Sequence, residues 1–387
     1  MRNCAKPRTT IALAMALACV AATITSLAAP AGAAQGPTKL LGPIITHDEN
    51  ASRTVGRDVG ITVALPNKRQ LWIFGDTSRY EYVNGRWKAT GFVAGSSIAD
   101  GPYHLGVRPS PLNEVWLGHR PSTKYRATVF IPPPNNVYFP DGSGRECSRA
   151  NGALEEGRWP TGATLLPNKS FVLVTYEMVC VASSTNFRVE GWGFAIYNWK
   201  SNRIAAGPTD VFKPAKSGAP LPPVRNFKTP VVTGSNVTLF SYTCCAGGSA
   251  VYRTTFTGTA AALANPNSYN PTKINGLPTG YSLTVSGKSP TQPKLQLVKL
   301  LDIKGRFAVF TAPGPAGPWA QKATGLLPGC RTSPQPCYAA YSHPEMSKAG
   351  QLLISYYLPG YGPGVKGHPY PHPPLNHLML AAVPYGS

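Results

Sequence analysis

Amphipathic helical periodicity is almost absent from these 387 residues, which argues against a helical bundle or an alternating α/β fold. Other absences narrow the function. No cysteine or histidine spacing resembles a zinc site. His368, His372 and His377 do not share a helix face, so they offer no metal centre. No helix-turn-helix, RNP or zinc-finger signature supports nucleic-acid binding. Ser/His/Asp catalysis lacks its Gly-x-Ser-x-Gly elbow, and the sialidase box Ser-x-Asp-x-Gly-x-Thr-Trp is missing. Acidic residues are scarce, with 16 Asp and Glu against 37 Lys and Arg, a formal charge of +21.

Short apolar stretches punctuated by Gly, Pro and Asn run through the chain, which holds 40 prolines and 39 glycines. That pattern reads as all-β, a sandwich or a propeller. Arg2, Lys6 and Arg8 precede an apolar run from Ile11 to Leu27, followed by Pro30-Ala31-Gly32-Ala33-Ala34. Residues 1–34 are therefore expected to be a secretory signal peptide, and no later stretch could span a bilayer. Residues 35–42 read as a short linker and 43–387 as one catalytic domain. Removing the three leader cations leaves +18. Outside a cell, such a surface would be drawn to phosphate-bearing wall polymers rather than nucleic acid.

Six cysteines follow the leader: Cys147, Cys180, Cys244, Cys245, Cys330 and Cys337. An even count in an exported chain suggests disulfides. Cys330–Cys337 would clip a short loop and Cys147–Cys180 would tie a long loop to a strand. Cys244 and Cys245 would then be a vicinal disulfide or two thiols.

A weak internal repeat favours the propeller. Leu65-Pro66-Asn67-Lys68 recurs as Leu166-Pro167-Asn168-Lys169, each followed by an apolar strand. Similar strand-turn-strand units begin at Val231, Leu300 and Ser342. Five such units, each with further strand-like sequence behind it, predict a five-bladed β-propeller with long loops at the channel mouth.

The first unit carries the sharpest chemistry. Val59, Ile61, Val63 and Leu65 alternate like an inner strand, and Leu71 to Phe74 is an apolar run. A three-residue turn, Pro66 to Lys68, makes opposed residue numbers sum to 134. Asp58 and Asp76 satisfy that sum, which predicts two carboxylates facing each other at the channel mouth. Such a pair raises one pKa, and glycoside hydrolysis needs one protonated and one ionised carboxyl. A binding module has no need of the pair. Glu177 stands at the repeat-equivalent of Asp76, and His343 and Glu345 open the fifth unit. These three, with Trp159 as a stacking platform, are secondary candidates for substrate binding.

Gly56-Arg57-Asp58-Val59-Gly60 with Leu71-Trp72-Ile73-Phe74-Gly75-Asp76-Thr77 resembles the opening signature of a secreted actinobacterial family. Ser342-His343-Pro344-Glu345-Met346 with Leu352-Leu353-Ile354-Ser355-Tyr356 resembles its late signature. The family includes the endo-D-arabinanases of glycoside hydrolase family 183, once a domain of unknown function. The resemblance implies a five-bladed propeller and internal cleavage of the D-arabinan of arabinogalactan or lipoarabinomannan. It also implies catalytic roles for Asp58 and Asp76. No cofactor is implied, and the expectation is a secreted, cell-wall-associated monomer acting on polysaccharide. The rival reading is a non-catalytic wall-binding propeller.

Overall fold

The Pro66–Lys68 turn sets the first hairpin. Lys68 adopts a left-handed φ of 60°, its N–H donates to the Leu65 carbonyl at 3.2 Å, and Leu65 N–H donates to the Arg69 carbonyl at 2.8 Å. The repeated motif folds alike: Lys169 has φ 55° and donates to the Leu166 carbonyl at 2.8 Å. Flanking alternation then pairs Ile61 with Ile73 and Ala64 with Gln70, the register expected from the turn.

The computed structural model describes residues 37–117, 127–153, 155–183, 186–243, 250–257, 260–277, 282–330, 337–359 and 376–384. The proposed leader, Cys244, Cys245 and the loop with His368 and His372 lie outside these residues. In chain order the strands are β1 (Lys39–Pro43), β2 (Arg53–Arg57), β3 (Ile61–Ala64), β4 (Arg69–Phe74), β5 (Thr77–Val83), β6 (Arg86–Val93), β7 (Ser97–Pro102) and β8 (Asn113–Val115). They continue with β9 (Glu155–Leu165), β10 (Phe171–Ser183), β11 (Asn186–Asn198), β12 (Arg203–Phe212), β13 (Phe227–Thr233), β14 (Asn236–Tyr242), β15 (Val251–Thr257) and β16 (Thr272–Ile274). The last are β17 (Ser282–Ser286), β18 (Leu295–Leu300), β19 (Arg306–Ala312), β20 (Ala320–Leu326), β21 (Tyr338–Ser342), β22 (Gln351–Pro359) and β23 (Asn376–Pro384). Among the described residues these make five four-stranded sheets and one three-stranded sheet, β2-β5-β6.

Side-chain alternation on the second strands shows how the sheets are arranged. Leu71 and Ile73 of β4 enter a core shared with Val172, Val174 and Tyr176 of β10. Trp72 and Phe74 point the other way, into a core with Leu353 and Leu380. That is why Leu71–Phe74 is apolar without alternation: both faces are covered. Leu173 then packs with Leu239, Phe240 with Leu297, and Val309 with Ile354. The interfaces run around a closed ring of five sheets, and the first strand of each lines one central cavity. The fold is an all-β propeller.

Three expectations change. Lys39–Gly42, read as linker, lie in β1, which pairs with β23 and completes the last sheet; its Gly and Pro suit an edge strand with a bulge. The unit at Leu300 is the second hairpin of its sheet, β18–β19. Its true inner strand, β17, is short and carries only Leu283 and Val285 as large apolar residues, so it was masked by the fully buried β18. The inner strand after Asp58 begins at Ile61 rather than Val59, because Val59 takes φ 56°. A β-branched residue in that region is an outlier that only surrounding structure can hold.

Candidate active site

The 134 register does not stop at the propeller. It resumes in β2 and β5, where Arg57 pairs with Thr77 and Arg53 with Glu81. Asp58 and Asp76 occupy the junction between the two ladders, with Asp58 N–H donating to the Asp76 carbonyl at 3.3 Å and Gly75 N–H to the Asp58 carbonyl at 2.9 Å. The turn at Val59 interrupts the ladder here and lets both carboxyls converge on the mouth. Both residues are half-buried.

Tyr338, at the start of β21, donates its hydroxyl to Asp58 Oδ2 at 3.1 Å, and its ring lies 4.4 Å from that of Tyr357. Asp58 Oδ1 has no protein partner. Asp76 Oδ1 accepts the Gly95 N–H at 2.9 Å. Gly95 has φ 85° and its Cα side is pressed against the Arg158 and Gly157 backbone, so only glycine can deliver that N–H while β9 stays close.

The strand start that packs there adds a third carboxylate. Glu155, buried at the head of β9, acts electrostatically on both aspartates. Its Oε1 also accepts the Trp159 indole N–H at 3.2 Å. Burial raises the Asp58 pKa, opposed by the Tyr338 hydroxyl. Burial also raises the Asp76 pKa, reinforced by the Asp58 and Glu155 charges. Both aspartates therefore hold a proton more tightly than free carboxyls do.

The other candidates divide. Trp159 stands at this mouth, orienting Glu155 and lying 5.6 Å from the Phe187 ring. Glu177 pairs across the sheet with Trp159, but it is held by Lys228 in an ion pair and by Asn226 at 3.1 Å. His343 and Glu345 lie apart from the aspartates. Thr62, within β3 beyond the turn at Val59, donates to Glu345 Oε1 at 2.6 Å and bonds His343 Nδ1 at 2.6 Å. His343 is fully buried against Trp72 at 5.1 Å. Burial lowers its pKa to about 3 and raises that of Glu345 to about 7.

Glu345 instead walls a cavity of about 540 Å³ between the far ends of the inner strands, with Ala64, Leu165, Thr233 and Ser286. The channel thus has a carboxylate cluster at one mouth and this cavity at the other. Sequence reasoning missed Glu155 and Tyr338. Glu155 follows a long loop with no repeat signal, and Tyr338 is 280 residues from its partner. Among the described residues no group of three or more His, Cys, Asp or Glu could hold a metal ion.

No protein-family model matches the chain, and no curated protein does. Solved structures that resemble it include a family 117 glycoside hydrolase from Zobellia galactanivorans, at 10% identity and TM-score 0.46 over 90% of this chain and 91% of that one. A GH43_1 enzyme from Xanthomonas citri, complexed with xylose, gives 10% identity and TM-score 0.43 over 89% and 90%. The catalytic domain of a GH62 α-L-arabinofuranosidase from Coprinopsis cinerea gives 12% and 0.38 over 90% and 96%. The functional reading rests on the chemistry of the mouth.

Proposed function

We propose that this chain is a secreted glycoside hydrolase that cuts D-arabinan internally at the Asp58–Asp76 mouth. The supporting observation is the convergence of three carboxyls, Asp58, Asp76 and Glu155, with the two aspartate pKa values raised by burial. Asp76, between two other carboxyls, keeps a proton and serves as general acid on the leaving oxygen. Asp58, stabilised as an anion by the Tyr338 hydroxyl, is the base that activates water. Glu155 positions Asp76 and keeps it protonated. An inverting course is assigned, with the water held between sugar and Asp58. The choice of D-arabinan follows the two signature stretches in the sequence.

The test is incubation of the mature protein with purified arabinogalactan, following released oligosaccharides and the anomer first formed by NMR. Oligosaccharides of several lengths are expected, at rates lowered about 10²–10⁴-fold in Asp58→Asn and in Asp76→Asn. Neither variant should melt lower at neutral pH, since each replaces a carboxyl whose ionisation burial disfavours with a neutral group of the same shape. Binding without product release would instead assign the chain to non-catalytic wall attachment.

A further inference from the structure

The proposed reaction makes no use of the cavity at the far mouth, yet three distant parts of the chain combine to fix one carboxyl in its wall. Thr62 of β3 donates to Glu345 Oε1 at 2.6 Å, and the Gln70 amide of β4 donates to the same oxygen. His343, fully buried, bonds Thr62 Oγ1 through Nδ1 at 2.6 Å. A hydroxyl has one proton to donate. With that proton directed at Glu345, Thr62 must accept from the His343 Nδ1–H, which sets the imidazole tautomer. The Glu345 side chain keeps 15% of its surface open, and that surface faces the cavity it walls.

The rest of the wall mixes hydroxyls with apolar surface. Thr164 of β9 is half-buried and Thr233 of β13 is exposed, and both line the cavity. Tyr341 and Val232 add half-buried apolar surface. Among the described residues the one basic side chain of the lining is the exposed Lys288. Beside it, a Cβ added at Gly287 would meet nothing within 4 Å, so that side of the cavity is open. The volume of about 540 Å³ falls within the range of small-molecule sites, about 300–1,000 Å³.

We infer that this cavity is a second binding site, for a short neutral saccharide, at the opposite end of the channel from the carboxylate mouth. Charged ligands fit the wall poorly. A metal cation would find a single carboxyl with one oxygen already accepting two hydrogen bonds, and no other His, Cys, Asp or Glu in the described lining. An anion would meet Glu345 itself. A sugar hydroxyl both donates and accepts, and so does a carboxyl able to hold a proton. Burial lifts Glu345 to about 7, so both its forms are present near neutral pH. The C–H faces of a sugar pack on Tyr341 and Val232, while its hydroxyls reach Thr164 and Thr233. The site stands on these residues and does not depend on cleavage at Asp58 and Asp76.

The test is an NMR titration of the labelled mature protein with D-arabinose and with a neutral arabinose disaccharide. Its reporters are local: the Val232 and Val285 methyls line the cavity, and the Gly95 amide lies at the carboxylate mouth. Saturable shifts are expected at both valines. Gly287→Trp, which places a ring in the open side, and Glu345→Leu, which removes the carboxyl, should each weaken that binding at least about tenfold. Glu345→Gln, still able to donate and accept, should retain most of it, and melting temperatures check that all three variants fold. Valines that do not shift overturn the second site, and a shift confined to Gly95 does so while leaving the hydrolase reading in place. Valine shifts given by methylammonium chloride but not by sugar also overturn it, as do sugar shifts that survive Gly287→Trp. Valine shifts lost in both blocking variants, with no cleavage of arabinogalactan by the unmutated protein, keep the site and sink the hydrolase reading.

Discussion

The Asp58 carboxylate lies over Gly75, in the space a Cβ would occupy. The absent side chain lets the carboxyl lean across the hairpin toward Asp76, and φ at Gly75 is not in the left-handed region. Space rather than backbone freedom fixes this glycine. Gly75→Ala should therefore displace Asp58, cutting turnover at least about 10²-fold, the contribution of one acid–base group. Overpacking should cost about 1–3 kcal/mol. Turnover and thermal unfolding measured together check it; an active, unperturbed variant would remove Asp58 from the reacting pair.

Tyr338 favours the ionised form of Asp58 through its hydroxyl. Removing a hydrogen bond to a charged group costs about 1.5–3 kcal/mol, and one pKa unit corresponds to about 1.4 kcal/mol. In Tyr338→Phe the Asp58 pKa rises further, so the base is ionised only at higher pH. The acidic limb of the kcat/KM profile should move up by about one unit or more. A limb that stays in place would show that Tyr338 is only packing.

Buried carboxyls also make stability fall as pH rises. Glu345 moves from the ordinary 4.5 to about 7, with burial as the main cause, so the folded chain binds the proton more tightly than the unfolded one. Its contribution is complete below about pH 4.5 and declines toward pH 7. Glu49 adds the same slope, also reaching about 7 through burial. His343, lowered by burial to about 3, opposes it only below about pH 6.5. Glu345→Gln keeps an oxygen to accept from Thr62 and Gln70. The variant should match the unmutated protein near pH 5 and exceed it near pH 8 by up to about 3 kcal/mol. Denaturant unfolding at the two pH values checks the difference.

Cys147 and Cys180 are bonded across a separation of 33 residues, tying the loop before β9 to β10. A closure of that length is worth about 3–4 kcal/mol in restricted unfolded chain. Cys147 also packs under the Glu155 carbonyl at 3.5 Å. Cys147→Ser with Cys180→Ser should lower stability by that amount and weaken activity, since Glu155 loses its anchor. The Cys330–Cys337 bond, with a separation of 7, closes less chain and should cost less. Melting curves of the two double variants settle the ranking.

Local grammar made much of this molecule readable. A turn residue and two alternating flanks gave the hairpin register, and the register placed Asp58 against Asp76. The Cys330–Cys337 bond followed from export and a short loop, whereas the partner of Cys147 was left open and the fold supplies it as Cys180. What was hidden depends on long-range contact: Glu155 and Tyr338 reach the site only through the ring of sheets. His343 and Glu345 were read as opening the fifth unit, but its inner strand β21 precedes them and ends at Ser342, which puts them at the other end of the channel from Asp58. The extra sheet was concealed because β2 and β5 continue the same ladder as β3 and β4, and only the left-handed Val59 marks the break.

The first strand of the chain is the last piece of the ring, for β1 pairs with β23 at Lys39–Ala382 and Pro43–Met379. Asp58 and Tyr338, 280 residues apart, belong to the first and last sheets. The site is therefore assembled at the seam where head and tail meet. Until β23 is available β1 has nothing to pair with, and until β21 is available Asp58 lacks its hydroxyl donor. Ring closure and completion of the carboxylate mouth are one event, so a chain clipped before β21 lacks the full set of groups around Asp58.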